Sequence, residues 1–293
     1  MNRVLRPLSL ITVLLAVAGC QGGDSEGSDE ASEVPSPVPA EQMEAAELPE
    51  DPGELADLVA DRMETAQTVD VGISLEPDEE EAAPVESTTM TLRMLDPPTA
   101  RMEVVESDKE TPTTTEIIVI DGVVYTRLEG QAIVDGKSWM RLSREDVAEA
   151  ESELGPFAEI FTVVLDETDA ALTEATGDTG LDVVRLGELT EDPETVAEDG
   201  AELTRFTGET SAYDVADAGN ETYRDLVDAG LEEVSWTLTV GDKGLPSEFS
   251  TEILTPDGRP ATSTVSYSDW GAEVEIAAPP EEDTGTLQES LSG

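Results

Sequence analysis

Apolar residues recur at every second position along several stretches of this chain, and that spacing is the feature that most restricts its fold. Met90, Leu92 and Met94 fall on one side of an extended backbone, whereas Thr91 and Arg93 fall on the other. A β-strand points successive side chains to opposite faces of a sheet, so such a stretch predicts a strand with one buried face. A chain with many stretches of this kind is expected to fold around an antiparallel sheet.

Two blocks of strands are predicted, one before residue 143 and one after residue 230. The dipeptide Asp121-Gly122 joins two apolar runs and predicts a tight type I′ hairpin. The run Ile117–Ile120 is apolar on both faces. Strand character is also predicted for 182–191 and for 201–210.

Helices are predicted between and before the strand blocks. Residues 51–68 begin with Pro52 near the first turn, and the apolar positions that follow have helical spacing: Leu55, Leu58, Val59 and Met63. Further helices are predicted after Ser143, after Gly155-Pro156 and over 211–230. Together these elements predict one α+β domain over 51–281, followed by a polar tail over 282–293.

The composition excludes several classes of function. The chain has 68 acidic and 15 basic residues and a formal net charge of −53, so an interaction with nucleic acid is not expected. It has no histidine and one cysteine, which excludes an internal disulfide and a Ser-His pair. The acidic runs at 78–81 and 281–283 lack the D-x-D-x-D-G spacing of a calcium loop. We therefore predict no metal, no cofactor and no enzymatic activity.

The single cysteine follows a short apolar run. Arg3 and Arg6 precede the apolar segment 8–19, which is too short to span a bilayer as a helix. Val17-Ala18-Gly19-Cys20 matches the lipobox of bacterial lipoprotein signals, in which the cysteine becomes acylated and N-terminal. This predicts a signal peptide over 1–19 and lipidation of Cys20. The alternative is an ordinary secretory signal with an incidental cysteine.

The residues after Cys20 are rich in Gly, Ser, Pro and acids and show no hydrophobic periodicity. That composition predicts a flexible tether over 20–50. A tether between a lipidated cysteine and a folded domain predicts a protein held at the extracytoplasmic face of the cell membrane.

The C-terminal strands resemble those of LolA-like lipoproteins, in particular the actinobacterial LppX/LprAFG type, which often end in a Tyr-Ser-Asp-Trp-Gly motif followed by an alternating stretch and a proline. The matching residues are Tyr267, Ser268, Asp269, Trp270, Gly271, Val274, Ile276 and Pro279. The segments 115–128 and 137–142 resemble a strand pair of that family, and 201–215 resembles its strand-to-helix junction. With the lipobox, the resemblance covers nearly the whole chain.

The resemblance implies a strongly curved antiparallel sheet, a half-barrel, whose concave face is covered by helices. In several relatives the apolar space between these layers holds acyl chains, so the resemblance implies binding or transport of a lipid or an acylated glycolipid. Other relatives with this fold act as sensors or regulatory partners.

A ligand pocket is predicted on the apolar strand faces, where soft methionine side chains adapt to a flexible chain. The candidate pocket residues are Met90, Leu92, Met94, Met102, Val104, Ile118, Ile120, Leu238, Val240 and Phe249. The apolar segment 150–165 is the candidate gate. The alternative is that these residues fill a dry core, in which case the protein is an interaction or regulatory module of the envelope.

Overall fold

The computed structural model describes residues 36–77, 85–95, 97–107, 112–128, 136–155, 158–198, 200–254 and 260–292. The predicted signal peptide, Cys20, the acidic run at 78–81 and Pro156 lie outside these residues.

Thirteen strands within the described residues form one sheet. They are β1 (Thr68–Pro77), β2 (Val85–Arg93), β3 (Thr99–Ser107), β4 (Pro112–Ile120), β5 (Val123–Leu128), β6 (Trp139–Leu142), β7 (Glu188–Leu189), β8 (Glu194–Glu198), β9 (Ala201–Ser211), β10 (Glu233–Gly241), β11 (Pro246–Leu254), β12 (Pro260–Ser268) and β13 (Thr284–Thr286).

Seven α-helices accompany the sheet in the described part of the chain. They are α1 (Pro52–Ala66), α2 (Arg144–Leu154), α3 (Ala158–Ala175), α4 (Asp178–Arg185), α5 (Ala212–Asp217), α6 (Glu221–Asp228) and α7 (Leu287–Ser292). Short polar side chains cap several of them: the backbone N–H of Glu54 donates to Asp51, that of Asp146 to Ser143 and that of Tyr223 to Asn220.

The strand order is β13-β6-β5-β4-β3-β2-β1-β12-β11-β10-β9-β7, with β8 also paired to β9. Consecutive strands from β1 to β6 are antiparallel neighbours, as are β9 to β12, and β1 joins the two blocks by pairing with β12. Asp121 and Gly122 both have positive φ, which confirms the predicted type I′ hairpin. The sheet is curved and not closed, and helices cover its concave face, so the predicted α+β half-barrel is confirmed.

Residues 182–185 are helical, not extended as predicted. They form the second half of α4, in which Leu181, Val183 and Val184 are buried. Gly177 precedes the helix with a left-handed backbone, and Asp182 pairs with Arg185 one turn on. Only the short β7 follows, paired with β9. Leu181, Val183 and Val184 therefore pack on one side of a helix. Over so few residues, the same spacing of apolar positions also fits a strand.

The folded structure extends beyond the predicted range 51–281 at both ends. β13 adds to β6 as a parallel strand, and Leu287 after it is 1% exposed. At the other end Met43 is 6% exposed and packs in the core with Leu48. Leu287 of the predicted polar tail and Met43 of the predicted tether thus both belong to the buried core.

The outer face of the sheet carries a charged cluster on β3, β4 and β5. Arg101 and Arg127 both donate to the carboxylate of Glu116, and Arg127 also lies over the ring of Trp139, 4.8 Å from its centroid. Burial raises the pKa of Glu116, but the hydrogen bonds from Arg127 and Arg101 outweigh it, so the pKa lies below its ordinary value.

We expect Glu116→Gln to remove a stabilising contribution that depends on pH. A carboxylate with a lowered pKa stabilises the fold above its unfolded-state pKa of about 4.3, and the contribution is lost as the pH falls through the folded-state value. The difference in melting temperature between wild type and variant should therefore be present at neutral pH and shrink as the pH falls below about 4. Thermal unfolding at several pH values, with the exposed Glu202→Gln as control, checks this; a difference that stays constant with pH would contradict it.

Candidate functional site

The concave face of the sheet carries continuous rows of apolar side chains that run across the strands. In one row Tyr267 lies opposite Val71, which lies opposite Met90, and the register continues through Met102 to Ile117. All five are buried in a single hydrophobic cluster. The two methionines are direct cross-strand neighbours, so this part of the face is soft and adaptable.

A second row crosses the sheet beside the first. It contains Phe206, Leu238, Phe249, Val265, Ile73, Thr88, Val104 and Thr115 in register from β9 to β4. Thr88 is 2% exposed, and its Oγ1 has no hydrogen-bond partner among the described residues. A buried hydroxyl of this kind is suited to pair with a polar group of a ligand.

Most of the candidate pocket residues lie on this concave face. Six of them are at most 3% exposed: Met90, Leu92, Met102, Val104, Leu238 and Val240. Met94 and Phe249 are partly buried and pack against the same cluster. The concave face is thus covered by helices and closely packed, and the open space lies at its margin.

Ile118 and Ile120 are the exceptions, and the pocket prediction is wrong for both. Met102 on the concave face lies opposite Ile117, so Ile117 and Val119 are the apolar residues of β4 that share that face. Ile118 lies opposite Arg101, on the outer face. The assignment differs by one residue, and a shift of one residue moves a strand's side chains to the other face.

A cleft of about 580 Å³ opens at the margin of the concave face. Its walls come from α1, the β2–β3 connection, α3 and the start of α4, and its apolar lining includes Met63, Met94, Leu95, Leu172 and Leu181. Asp61, Glu64 and Asp169 stand on the same walls. The cleft therefore combines an apolar lining with acidic groups.

A small void of about 10 Å³ lies between α1, α4 and the sheet. Its lining includes Leu238 and Phe249, two of the predicted pocket residues, and Tyr267. Met63 and Leu181 line both the void and the outer cleft. These two side chains are therefore shared by the walls of the cleft and of the void.

Sequence reasoning missed the residues of the cleft. The helical spacing predicts Met63 on the apolar side of α1, but it does not indicate that this side of the helix borders a cleft. Leu172 and Leu181 come from α3 and α4, and only the tertiary arrangement brings them to Met94 and Leu95.

α3 covers part of the concave face less completely than α1 does. In its first half Ile160 is 56% exposed, and Phe161 and Val164 are only partly buried. A groove of about 450 Å³ separates this half from α2. This region corresponds to the predicted gate segment, and its apolar side chains are available to a ligand or to solvent.

α3 begins and ends next to glycines with a left-handed backbone, Gly155 (φ 54°) and Gly177 (φ 78°). Arg144 on α2 holds the helix through ion pairs to Asp166 and Asp169, both at 2.7 Å. The hydrogen bonds that Arg144 donates to Asp169 and Asp166 raise its pKa. α3 is thus held to α2 by polar contacts at its surface.

α4 is attached to the sheet much more tightly. The indole N–H of Trp236 donates to Thr210 Oγ1 at 2.9 Å, and the Thr210 hydroxyl donates to the carbonyl of Val183 at 2.7 Å. A Cβ on Gly208 would lie 2.2 Å from the ring of Trp236, and one on Gly180 would lie 2.7 Å from the ring of Phe249. Helices α3 and α4 both line the cleft beside α1, and α4 is the one that is held firmly against the sheet.

None of the helices in the described part of the chain has the length and apolar content that a membrane-spanning helix needs.

Comparison with protein-family models gives no match, and comparison with curated proteins gives none either. Solved structures do show similarity. The lipoprotein LppX of Mycobacterium tuberculosis is 13% identical, with a TM-score of 0.44 over 77% of this chain and 98% of its own. LprF of Mycobacterium bovis is 17% identical, with a TM-score of 0.42 over 77% and 97%. A LolA-superfamily protein of Nitrosomonas europaea is 10% identical, with a TM-score of 0.25 over 78% and 94%. The LolA-like lipoproteins of LppX type that the C-terminal strands resemble are thus represented among the solved structures similar to this chain.

Proposed function

We propose that this protein is anchored through acylated Cys20 at the extracytoplasmic face of the cell membrane and binds an acyl chain of a lipid or acylated glycolipid. The chain enters the cleft between α1, α3 and the β2–β3 connection. The observation that carries the proposal is the apolar cleft of about 580 Å³, whose wall residues Met63 and Leu181 also line a small void beside Leu238 and Phe249.

The cleft has the size of a ligand site. Its volume of about 580 Å³ falls within the range of roughly 300–1,000 Å³ that is typical of small-molecule pockets. Each methylene that leaves water contributes about 0.8 kcal/mol, so even a partly buried acyl chain gains several kcal/mol. The unbranched side chains of Met63 and Met94 can change rotamer to admit such a chain at low cost. Movement of Met63 would extend the cleft toward Leu238 and Phe249.

The alternative is an interaction or regulatory module with a filled core. The packing of the predicted pocket residues favours it, since Leu92 and Val240 have no exposed surface. In that case the partly exposed apolar half of α3, around Ile160, would contact a protein partner. The two functions differ in whether the cleft accepts a ligand.

We expect Thr173→Trp to weaken binding of a fluorescent fatty-acid probe at least about tenfold, which corresponds to roughly 1.4 kcal/mol. Thr173 lies on the cleft wall with an exposed side chain, so an indole there fills the cleft without entering the core. Ala170→Trp is the matched control, because Ala170 is exposed on the same helix and is not part of the cleft lining. Titration of the probe into the mature chain measures both. Equal affinities for the two variants and wild type would exclude the cleft as the binding site.

A further inference from the structure

The residues just before α1 are docked along one rim of the sheet. The backbone N–H of Ala40 donates to the carbonyl of Trp270 at 3.1 Å, and that of Ala46 donates to the carbonyl of Asp242 at 2.8 Å. Met43 between them is 6% exposed. We call residues 38–48 the clasp.

The clasp begins at a contact that only glycine permits. A Cβ on Gly271 would lie 2.0 Å from the carbonyl oxygen of Val38, and Gly271 has φ +73°. The clasp is therefore held against the turn that follows β12, and the segment that connects it to Cys20 joins it on its N-terminal side.

The start of the clasp lies at the same rim of the sheet as the mouth of the cleft. The N–H of Gly271 donates to the carbonyl of Thr68, at the start of β1, over 2.9 Å. The preceding residue, Gln67, accepts a hydrogen bond of 2.7 Å from the N–H of Met94, which lines the cleft. Two hydrogen bonds and the peptide bond between Gln67 and Thr68 thus connect Gly271, which contacts the start of the clasp, to Met94 in the wall of the cleft.

The length of chain before the clasp sets the typical distance of this rim from the anchor. Val38 lies 18 positions after Cys20, and a coil of that length has a typical span of about 25 Å. The opposite rim is one strand length away, roughly 30 Å for a strand of nine residues such as β3. The docked clasp therefore brings one particular rim close to the membrane.

We propose that the rim formed by the clasp, the start of β1 and the β2–β3 connection faces the bilayer, so that the cleft takes its acyl ligand directly from the membrane that holds the anchor. This inference rests on the proposed lipidation of Cys20. The ligand is then a membrane lipid with its chain withdrawn into the cleft. Asp61, Glu64 and Asp169 at the cleft oppose close approach to anionic headgroups, so neutral lipids are preferred.

Fluorophores at the two rims test this orientation. Pro97→Cys labels the β2–β3 connection and Thr113→Cys labels the start of β4 at the opposite rim; both native residues are exposed. Cys20 is the sole native cysteine, and acylation blocks it, so each variant carries one reactive thiol. The lipidated protein is placed in phosphatidylcholine vesicles that contain headgroup-nitroxide lipids, and quenching is measured.

We expect quenching at position 97 to exceed that at position 113 at least about twofold, because the typical span of the chain before the clasp is about 25 Å and the opposite rim lies a further strand length away. Inserting forty Gly/Ser residues after Gly23 should reduce the difference, since it lengthens the chain before the clasp without touching the fold. Equal quenching at both positions, stronger quenching at position 113, or a difference unchanged by the insertion would overturn the orientation. Failure of the soluble fatty-acid probe to bind would instead remove the proposed function, and the quenching comparison would still decide the orientation.

Discussion

Replacing Cys20 by serine, behind a secretory signal that is cleaved independently of the cysteine, is expected to move the protein almost completely from the membrane fraction to the soluble fraction. A single myristoyl chain gives only marginal membrane binding, with a constant of about 10⁴ M⁻¹, whereas two acyl chains anchor stably. Without them the strongly acidic chain has no attraction to an anionic surface. The loss should therefore be nearly all-or-none.

Ultracentrifugation of membranes followed by immunoblotting measures this distribution. Ser25→Ala is the matched control, because it changes one hydroxyl in the same acidic tract and leaves the lipobox intact. Retention of the Cys20→Ser variant in membranes at the wild-type level would show that another part of the chain holds the protein there.

Trp236→Ala is expected to lower the free energy of unfolding by about 3–5 kcal/mol, the range for loss of a large buried aromatic side chain. Trp236 is 1% exposed, and Gly208 across the strand leaves no Cβ that could fill the vacated space. Its indole also supports Thr210, which bonds to α4, so the variant loosens the fixed wall of the cleft.

Chemical denaturation measures this loss. Tyr213→Ala serves as control, because Tyr213 is 52% exposed and its truncation should change stability by less than about 0.5 kcal/mol. A loss below about 1 kcal/mol for Trp236→Ala would contradict the view that α4 is fixed to the sheet through this residue.

The sequence predicted local elements where their signals were complete within a few residues. Met90, Leu92 and Met102 alternate with polar neighbours, so one face of each strand was identified correctly. Asp121-Gly122 has the chemistry of a type I′ turn, and Ser143 has that of a helix N-cap. These features need no knowledge of distant residues.

The buried face of β4 could not be predicted in the same way. Four consecutive apolar residues, Ile117–Ile120, leave no alternation from which to assign a face. The pairing of Met102 with Ile117 decides the register, and it depends on how β3 and β4 align. Eight of the ten candidate pocket residues therefore lie on the concave face, and Ile118 and Ile120 do not.

The two ends of the fold depend on contacts distant in sequence. β13 is three residues long, and its partner β6 lies about 145 residues earlier, so no local pattern indicates the pair. Residues 38–48 look like the rest of the predicted tether, yet they dock because Met43 and Leu48 find apolar surface. The cleft likewise arises only where α1, α3 and α4 meet the β2–β3 connection.

Native mass spectrometry of the mature chain, isolated from its own membrane in mild detergent, tests the proposed function most directly. We predict discrete mass additions that match acylated lipids, absent from Thr173→Trp and retained in Ala170→Trp. An unliganded mass for the wild-type chain, together with cooperative unfolding, would contradict lipid binding and favour the interaction module.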